Sequence, residues 1–386
     1  MANDFNLFFT EKVSQIRVDL EQNPLPYPPH AAEARSEFSG TPLSNFRPVS
    51  EEEVKKVLSA SPSTSCPLDP LPTKILKSCL SVFLPVLTLL ANLSLSTGEF
   101  CSTFKKAFVI PLLKKSDLDQ DIFKNFRPIS NLSFISKLIE RLVAIQIIDH
   151  FRLNNIMEKF QSAYRAFHST ETALLRVQND LLKAVDTHGG AILVLLDLSA
   201  AFDTIDHATL LRALESQCGI IGTALNWFAS YLTDRLQAVK IGQAISDFVK
   251  LIYGVPQGSV LGPLLFTLYT SPLSAIVRRH GLQYHFYADD SQLYIMFKPN
   301  VTISRDDAIA RIEACAADIR AWMSNNYLKL NEDKTELLIL TTPQQCHSTS
   351  DIRIQIGDDV ISPASPPVRN LGFYLTSSLK PECHIP

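Results

Sequence analysis

Apolar residues repeat along the chain at two different spacings, and each spacing predicts a different element. Ile309, Ile312, Ala316, Ile319 and Met323 repeat at helical spacing and mark one face of a helix over 304–325. Elsewhere, continuous apolar runs have the length of a strand. The chain therefore mixes helical and strand signals, which predicts an α+β fold.

Two apolar runs predict strands that end in acidic residues. The run 191–198 is apolar throughout up to Asp197, which predicts a strand buried on both faces. The segment 283–297 is interrupted by Asp-Asp-Ser and predicts strand, turn, strand. We expect these strands to pack on helices over 207–216 and 304–325.

Further helices are predicted where start and stop signals flank a helical pattern. Ser50 and Glu53 have the spacing of a capping box, and Gly189-Gly190 ends the helix over 170–187. The other helical patterns cover 73–100, 134–153 and 223–235. The most apolar stretch, 80–93, is shorter than a membrane span and contains a proline, which favours a buried helix.

Proline, glycine and polar residues predict the connections. Residues 20–49 have the composition of a linker, and 254–265 is predicted as a loop that enters an apolar helix. The segment NFRPIS, 125–130, is predicted as a loop beside a strand-like run. The segment 328–340 is predicted as two apolar pieces around a polar turn.

Composition narrows the class of protein. The chain has 386 residues, 46% hydrophobic and 19% charged, which suits a globular protein of two or three domains. The net charge of −3 excludes an overall basic nucleic-acid binder, but 105–141 holds eight basic and four acidic residues. The seven cysteines form no Cys-x-x-Cys pair, and no basic leader precedes an apolar segment. These features predict an intracellular protein, nuclear or cytoplasmic, without a membrane partner.

The acidic residues at the strand ends are the strongest chemical signal. Asp197 ends one predicted strand, and Asp289 and Asp290 occupy the turn of a hairpin. If the strands share a sheet, the three carboxylates meet at one edge, where their repulsion is relieved by a divalent cation. Oxygen ligands suit Mg²⁺, and two such ions can activate a hydroxyl and stabilise a leaving pyrophosphate. A purely structural Asp-Asp turn is the alternative.

The motifs also resemble a known family. An ordered set of segments resembles the reverse transcriptase domain of LINE-type, non-long-terminal-repeat retrotransposons, most closely the Jockey-like and chicken-repeat-like branches. The segments are VIPLLKK (109–115), NFRPISNLSFISKLIERL (125–142), QSAYRAFHSTETALL (161–175), LLDLSAAFDTIDH (195–207), GVPQGSVLGPLLFTLY (254–269), FYADDSQLY (286–294), LKLNEDKTELLIL (328–340) and VRNLGFYL (368–375). The resemblance covers roughly 45–380 and implies a right-hand polymerase with an antiparallel-sheet palm, largely helical fingers and a truncated thumb.

The resemblance implies a role for each matching residue. Catalysis is implied for Asp197, Asp289, Asp290 and Lys334, with two Mg²⁺ (or Mn²⁺) held by the three aspartates and the backbone carbonyl of Leu198. Deoxynucleotide binding is implied for Lys114, Arg127, Phe202, Gln257 and Gly258. Template or primer contacts are implied for Arg165, His168 and Gly372. Asp203 and His207 are expected to be structural.

Simpler interpretations of some of these residues stay open. Phe202 could be a core aromatic, Lys334 a surface lysine in an ion pair, and His168 the cap of the following helix. Gly372 lies in a segment that alone would be called an ordinary strand.

The expected domains are an N-terminal extension or linker (1–45), a helical extension with fingers (46–190), a palm (191–360), and a primer hairpin with the start of a thumb (361–386). The resemblance implies RNA-directed DNA synthesis from an RNA template, a DNA primer and deoxynucleotides, without an endonuclease domain and most of the thumb. The alternatives are a catalytically silent remnant that only binds nucleic acid and, less well matched, a metal nuclease, which leaves Phe202 and the Pro-Gln-Gly loop unexplained.

Overall fold

The computed structural model describes residues 1–26, 38–64, 66–342, 345, 349, 351–364 and 367–376. Part of the predicted linker, 27–37, and the last residues of the predicted thumb, 377–386, lie outside this set. The helices are Ala2–Gln22 (α1), Glu51–Ala60 (α2), Thr73–Ser78 (α3), Leu80–Thr97 (α4), Phe134–Leu153 (α5), Thr170–His188 (α6), His207–Ser216 (α7), Gly222–Leu232 (α8), Gly262–Tyr269 (α9), Leu273–Arg279 (α10) and Thr302–Asn325 (α11).

Thirteen strands accompany the helices in the described residues. They are Lys106–Leu113 (β1), Phe126–Leu132 (β2), Gly190–Ser199 (β3), Arg235–Ile241 (β4), Ala244–Ile245 (β5), Val249–Leu251 (β6), Gln283–Tyr287 (β7), Asp290–Phe297 (β8), Lys329–Thr341 (β9), Ile354–Ile356 (β10), Asp359–Ile361 (β11), Val368–Asn370 (β12) and Phe373–Leu375 (β13). The α+β class predicted from the sequence is confirmed.

The chain forms two compact units, each assembled from separated stretches of sequence. The described parts of Met1–Glu21, Ser36–Met157 and Phe202–Tyr269 make the first unit. The described parts of Gln22–Arg35, Glu158–Ala201 and Thr270–Pro386 make the second.

The sheet of the first unit has the strand order β2-β1-β4-β5, with β6 also paired to β4. β1 runs antiparallel to β2 and parallel to β4. NFRPIS, expected as a loop, forms most of β2. Pro128 is tolerated there because β2 is an edge strand, where the missing N–H costs no ladder bond on the open side.

Helix α1 was not predicted, and it covers this sheet. Its Phe5 and Phe9 are buried with Val109 of β1 and Val239 of β4. The ring of Phe5 also contacts the ring of Phe123, with 4.3 Å between centroids. The helix therefore owes its place to an aromatic contact with distant residues.

Helix α4 corrects the expectation of a buried helix. Only one side of it is buried; Val82, Val86, Leu89 and Leu93 are each more than half exposed. Among the described residues it is also the one helix whose length and composition would allow a membrane crossing, which is weak evidence for one.

The sheet of the second unit has the order β7-β8-β3-β9, antiparallel throughout. The central strand β3 is buried on both faces, as predicted. Helices α6 and α11 pack on this sheet. The main contacts of α7, expected on the same strands, are instead with α8 and α9.

Local signals for helix ends are confirmed. Ser50 and Glu53 form the predicted capping box of α2. Helix α6 ends at Gly189, whose φ of 88° is the left-handed conformation that glycine adopts without penalty.

Candidate active site

Asp197 and Asp290 lie at the same end of the second-unit sheet because their strands are neighbours. The last Cα pair between β3 and β8 joins Leu196 to Ser291. Asp197 follows Leu196 and Asp290 precedes Ser291, so both flank that pair at one end of the sheet. Asp289 comes directly before Asp290, between β7 and β8. Strand pairing thus brings together the positions that were predicted to share one edge.

A bulge in β9 brings two further side chains to Asp197. Leu195 pairs with Glu336, and Asp197 pairs with Asn331. Two residues that are two positions apart on β3 therefore face two residues that are five positions apart on β9. The segment 328–340, expected as two pieces around a turn, is therefore one strand whose polar residues bulge out. The Nζ of Lys334 donates to Oδ2 of Asp197 at 2.7 Å, and Nδ2 of Asn331 donates to the same oxygen at 3.3 Å.

Asp197 and Asp290 border an open cavity of about 410 Å³ within the second unit. Its lining includes Asp197, Asp290, Lys334, Arg369 and Leu371. The last two belong to the hairpin β12–β13, which the resemblance assigned to the primer end.

The hairpin β12–β13 is anchored at one side of this cavity. Nδ2 of Asn370 donates to Oε1 of the buried Gln292 on β8 at 2.9 Å. Gly372 has a φ of 84°, and a Cβ there would meet no atom of the described residues within 4 Å. The backbone conformation at this turn therefore favours glycine.

The turn before Asp290 is strained. Tyr287 pairs with Asp290, so Ala288 and Asp289 form a two-residue loop. Ala288 has a φ of 56°, a left-handed conformation that costs an L-residue about 1–2 kcal/mol. Burial raises the pKa of the nearby Tyr164, and the charge of Asp289 raises it further.

The donor set suits a hard divalent cation, although no ready three-ligand group is formed. Carboxylate oxygens are the ligands that Mg²⁺ prefers. Among the described residues, no group of three or more His, Cys, Asp or Glu side chains is arranged to hold a metal. Leu198 is buried, and its Cα partner on β9 is Leu330; a metal contact by its carbonyl oxygen stays a prediction.

The Pro-Gln-Gly loop belongs to the first unit and is packed on β2. The backbone N–H of Ser130 donates to the carbonyl of Gln257 at 2.7 Å. Gly258 has a φ of 114°, and a Cβ there would lie 2.6 Å from the carbonyl oxygen of Ser130. The backbone of Gly258 therefore lies against the neighbouring strand β2, and its contact with a nucleotide stays a prediction.

Asp203 holds the side chain of Gln257. The Nε2 of Gln257 donates to both carboxylate oxygens of Asp203 at 2.9 Å. Burial raises the pKa of Asp203 to about 6, against the opposing effect of the Gln257 hydrogen bond. His207, also expected to be structural, donates from Nε2 to the carbonyl of Gly254 at 2.8 Å, and burial lowers its pKa.

Asp203→Asn is expected to change how stability depends on pH. Because the folded pKa of Asp203, about 6, lies above its ordinary value of 3.8, the folded state binds the proton more tightly. The protonated carboxyl therefore adds about 3 kcal/mol to the free energy of unfolding below about pH 4, and this contribution is lost as pH rises through 6. Urea unfolding at about pH 4 and about pH 7 should show that loss in the parent chain and not in the variant. An equal loss in both would contradict the assignment.

Phe202 stacks on Phe266 of α9, with 4.6 Å between ring centroids and 25° between ring planes. It is only partly buried. The structure therefore gives it a packing partner without removing it from the surface, and its role at a nucleotide sugar stays a prediction.

Lys114 and Arg127 lie on the same hairpin of the first unit, and both are exposed. Arg127 on β2 has Leu112 as its Cα partner, and the N–H of Lys114 donates to the carbonyl of Asn125 at 2.9 Å. The Nζ of Lys114 donates to the carbonyl of Lys124 at 2.6 Å. The hairpin thus brings together the two cations predicted to bind a triphosphate.

Arg165 and His168 make local contacts in the second unit. The Nη1 of Arg165 donates to the carbonyls of Glu158 and Gln161 at 2.8 and 3.0 Å. His168 is exposed, and the cap of α6 is Ser169, so the alternative that His168 caps this helix is wrong. Their template contacts stay predictions.

Two residues near the aspartates were not singled out from the sequence. Asn331 faces Asp197 only because 328–340 is a single strand, and nothing local signals that. Gln161 contacts the turn at Ala288. A glutamine in an otherwise ordinary segment carries no chemical signal of its own.

Comparison with known proteins identifies the family of this chain. A family model described as "Reverse transcriptase (RNA-dependent DNA polymerase)" matches residues 113–375. The chain is 28% identical over 296 residues to a probable RNA-directed DNA polymerase from transposon BS of Drosophila melanogaster, covering 75% of this chain and 32% of the relative. It is 27% identical over 340 residues to the RNA-directed DNA polymerase from mobile element jockey of the same species, covering 84% of this chain and 36% of the relative.

A third relative gives the same picture. The chain is 30% identical over 270 residues to the jockey polymerase of Drosophila funebris, covering 68% of this chain and 29% of the relative. The chain therefore spans about a third of the length of these curated relatives. Reverse transcriptase domains in general depend on a divalent metal and use an RNA template, a primer and nucleotides. The chain belongs to the reverse transcriptase family and is a domain of the LINE-type, jockey-like kind.

Proposed function

We propose that this chain performs RNA-directed DNA synthesis. The 3′-oxygen of a DNA primer would form a bond to the α-phosphorus of a deoxynucleotide, pyrophosphate would leave, and the hydroxyl proton would be released. The observation that carries the proposal is the placement of Asp197 and Asp290 beside one open cavity at the end of two paired strands.

The aspartates are proposed as the metal ligands. Asp197, Asp289 and Asp290, with the carbonyl of Leu198, would hold two Mg²⁺, or Mn²⁺ in their place. When bound, such ions lower the pKa of the attacking hydroxyl and stabilise charge on the leaving group. Lys334, whose ammonium contacts Asp197, would supply a proton to pyrophosphate. The surface ion pair remains the alternative role for Lys334.

The remaining contacts are proposed from the family match. Lys114 and Arg127 would bind the triphosphate, Arg127 through its bidentate geometry and Lys114 as a point charge. Phe202 would exclude a 2′-hydroxyl, with Gln257 and Gly258 at the nucleotide. The template and primer contacts are proposed for Arg165, His168 and Gly372.

The right-hand arrangement is part of the proposal. It assigns 191–360 to the palm, 46–190 to the helical extension and fingers, and 361–386 to the primer hairpin and the beginning of a thumb. The antiparallel second-unit sheet supports the palm assignment. Action in the nucleus or cytoplasm without a membrane partner also remains a prediction.

Asp289→Ala tests the function directly. The parent chain should extend a labelled DNA primer on an RNA template with Mg²⁺ or Mn²⁺. The variant should lose at least about a hundredfold in incorporation, because several kcal/mol of metal-derived stabilisation are removed. Its affinity for primer-template in a gel shift should stay within about threefold, since base pairing and phosphate contacts are retained.

Asp186→Ala on the exposed side of α6 is the matched control and should extend normally. Unchanged extension by Asp289→Ala would refute the site assignment. The second candidate function is nucleic-acid binding without synthesis. It is favoured by the ion pair between Lys334 and Asp197, because the lysine occupies an oxygen of a proposed metal ligand. It would show as a gel shift without nucleotide incorporation, whether Mg²⁺ or Mn²⁺ is supplied.

A further inference from the structure

Gln161 is a buried side chain that contacts a single residue of the aspartate turn through both of that residue's backbone polar groups. Its Oε1 accepts from the N–H of Ala288 at 3.1 Å, and its Nε2 donates to the carbonyl of Ala288 at 3.4 Å. Oε1 also accepts from the N–H of Ala163 at 2.9 Å. The carboxamide is therefore fixed on one side to its own segment and on the other to the turn.

The backbone around Gln161 is itself bound to β7. The N–H of Ser162 donates to the carbonyl of Phe286 at 3.0 Å, and the N–H of Phe286 donates to the carbonyl of Phe160 at 2.8 Å. Gln161 and Phe286 thus form a parallel bridge. Because the main chain around Gln161 is hydrogen-bonded to Phe286, the side chain of Gln161 is held within reach of Ala288.

Ala288 needs such support. Its φ of 56° is a conformation that an alanine leaves readily, whereas glycine adopts it without penalty. Rotation at Ala288 would redirect Asp289, the next residue, and disturb the pairing of Tyr287 with Asp290. Two hydrogen bonds to the backbone of Ala288 oppose that rotation.

We propose that Gln161 is a positioning residue that holds the turn 287–290 in the conformation in which Asp289 and Asp290 bind divalent metal. This proposal rests on the proposed function. Gln161 is uncharged and is not one of the proposed metal ligands, so its effect passes through the backbone of Ala288.

Gln161→Leu tests whether Gln161 holds the turn 287–290, by a measurement that does not depend on catalysis. It removes all three side-chain hydrogen bonds and keeps a similar volume. Amide hydrogen exchange of the peptide 286–291 is expected to become at least about tenfold faster, because local opening of the turn is no longer opposed. Gln283→Leu, exposed on the same hairpin, is the matched control and should leave exchange within about twofold.

Steady-state extension then separates positioning from a loss of folded protein. Gln161→Leu should lower kcat about tenfold and raise the Mg²⁺ concentration for half-maximal activity, with the deoxynucleotide KM changed less than about threefold. A purely structural role would lower the active fraction and leave the Mg²⁺ dependence unchanged. That result, or unchanged exchange at 286–291, would overturn the proposal.

Ala288→Gly supplies the coupling test. Because glycine removes the conformational penalty at this position, the loss of kcat caused by Gln161→Leu should be several-fold smaller in the Ala288→Gly background. An equal loss of kcat in both backgrounds would contradict the proposal that Gln161 holds the turn. If the parent chain itself fails to extend a primer, the proposed function fails, while hydrogen exchange at the turn still decides whether Gln161 holds it.

Discussion

Asp197→Asn should lower the rate of nucleotide incorporation by about a thousandfold while the chain stays folded. The substitution removes a negative metal ligand, and a loss of several kcal/mol in transition-state stabilisation corresponds to that factor. The asparagine oxygen can still accept hydrogen bonds from Lys334 and Asn331, so the end of β3 should keep its contacts. Single-turnover extension of a primer on RNA measures the rate.

Asp186→Asn, on the exposed side of α6, controls for the chemistry of the substitution and should extend at the parent rate. The urea midpoint of Asp197→Asn should stay close to that of the parent chain. A variant that folds and still incorporates nucleotides at more than about a tenth of the parent rate would contradict the assignment of Asp197 as a metal ligand.

Glu140→Ala should destabilise the first unit by about 3–5 kcal/mol. Glu140 is fully buried in α5. Its Oε2 accepts from the N–H groups of Val260 and Leu261 at 2.7 and 3.1 Å, just before α9 begins. Oε2 also accepts from the hydroxyl of Tyr231 at 3.2 Å, and Oε1 accepts from the hydroxyl of Ser136 at 3.1 Å. Truncation leaves four donors, three of them on fully buried residues, without this acceptor and opens a cavity.

Unfolding of the first unit can be followed separately because its one tryptophan is Trp227. In a Trp322→Phe background this residue reports on the unit that contains Glu140. The denaturant midpoint should fall with an unchanged slope, whereas Glu215→Ala, exposed on α7, should shift stability by less than about 0.5 kcal/mol. A shift of under 1 kcal/mol for Glu140→Ala would show that water replaces the carboxylate.

The elements that could be predicted from the sequence are those whose signals are local. The apolar run ending at Asp197, the Asp-Asp hairpin and the capping box at Ser50 each carry their pattern within a few residues. For these elements, burial or capping acts in the same direction as local conformational preference, so the tertiary structure does not override them.

The elements that were missed depend on distant contacts. Helix α1 is held by packing of Phe5 and Phe9 on the first-unit sheet. β2 contains Pro128 and becomes a strand because β1 lies beside it. The bulge in β9 is set by the pairing of Asn331 with Asp197 and of Glu336 with Leu195. Local sequence reports conformational preference, and these cases were decided by partners far along the chain.

The same limit applies to the site. The chemistry of the aspartates could be recognised from residue type and position, since three carboxylates at one edge of a sheet repel one another unless a cation relieves the repulsion. The contacts of Gln161 with Ala288 and of Asp203 with Gln257 could not, because an amide has many potential partners and only the folded backbone selects one.

The close packing of Gly258 on Ser130 connects the Pro-Gln-Gly loop firmly to β2. Ser130 lies three residues after Arg127 on β2, and its backbone is both bonded to Gln257 and touched by Gly258. Any side chain at position 258 would push against this strand. A movement of the β1–β2 hairpin would therefore carry the Pro-Gln-Gly loop with it, so the residues proposed to bind the triphosphate and those proposed to contact the nucleotide would move together.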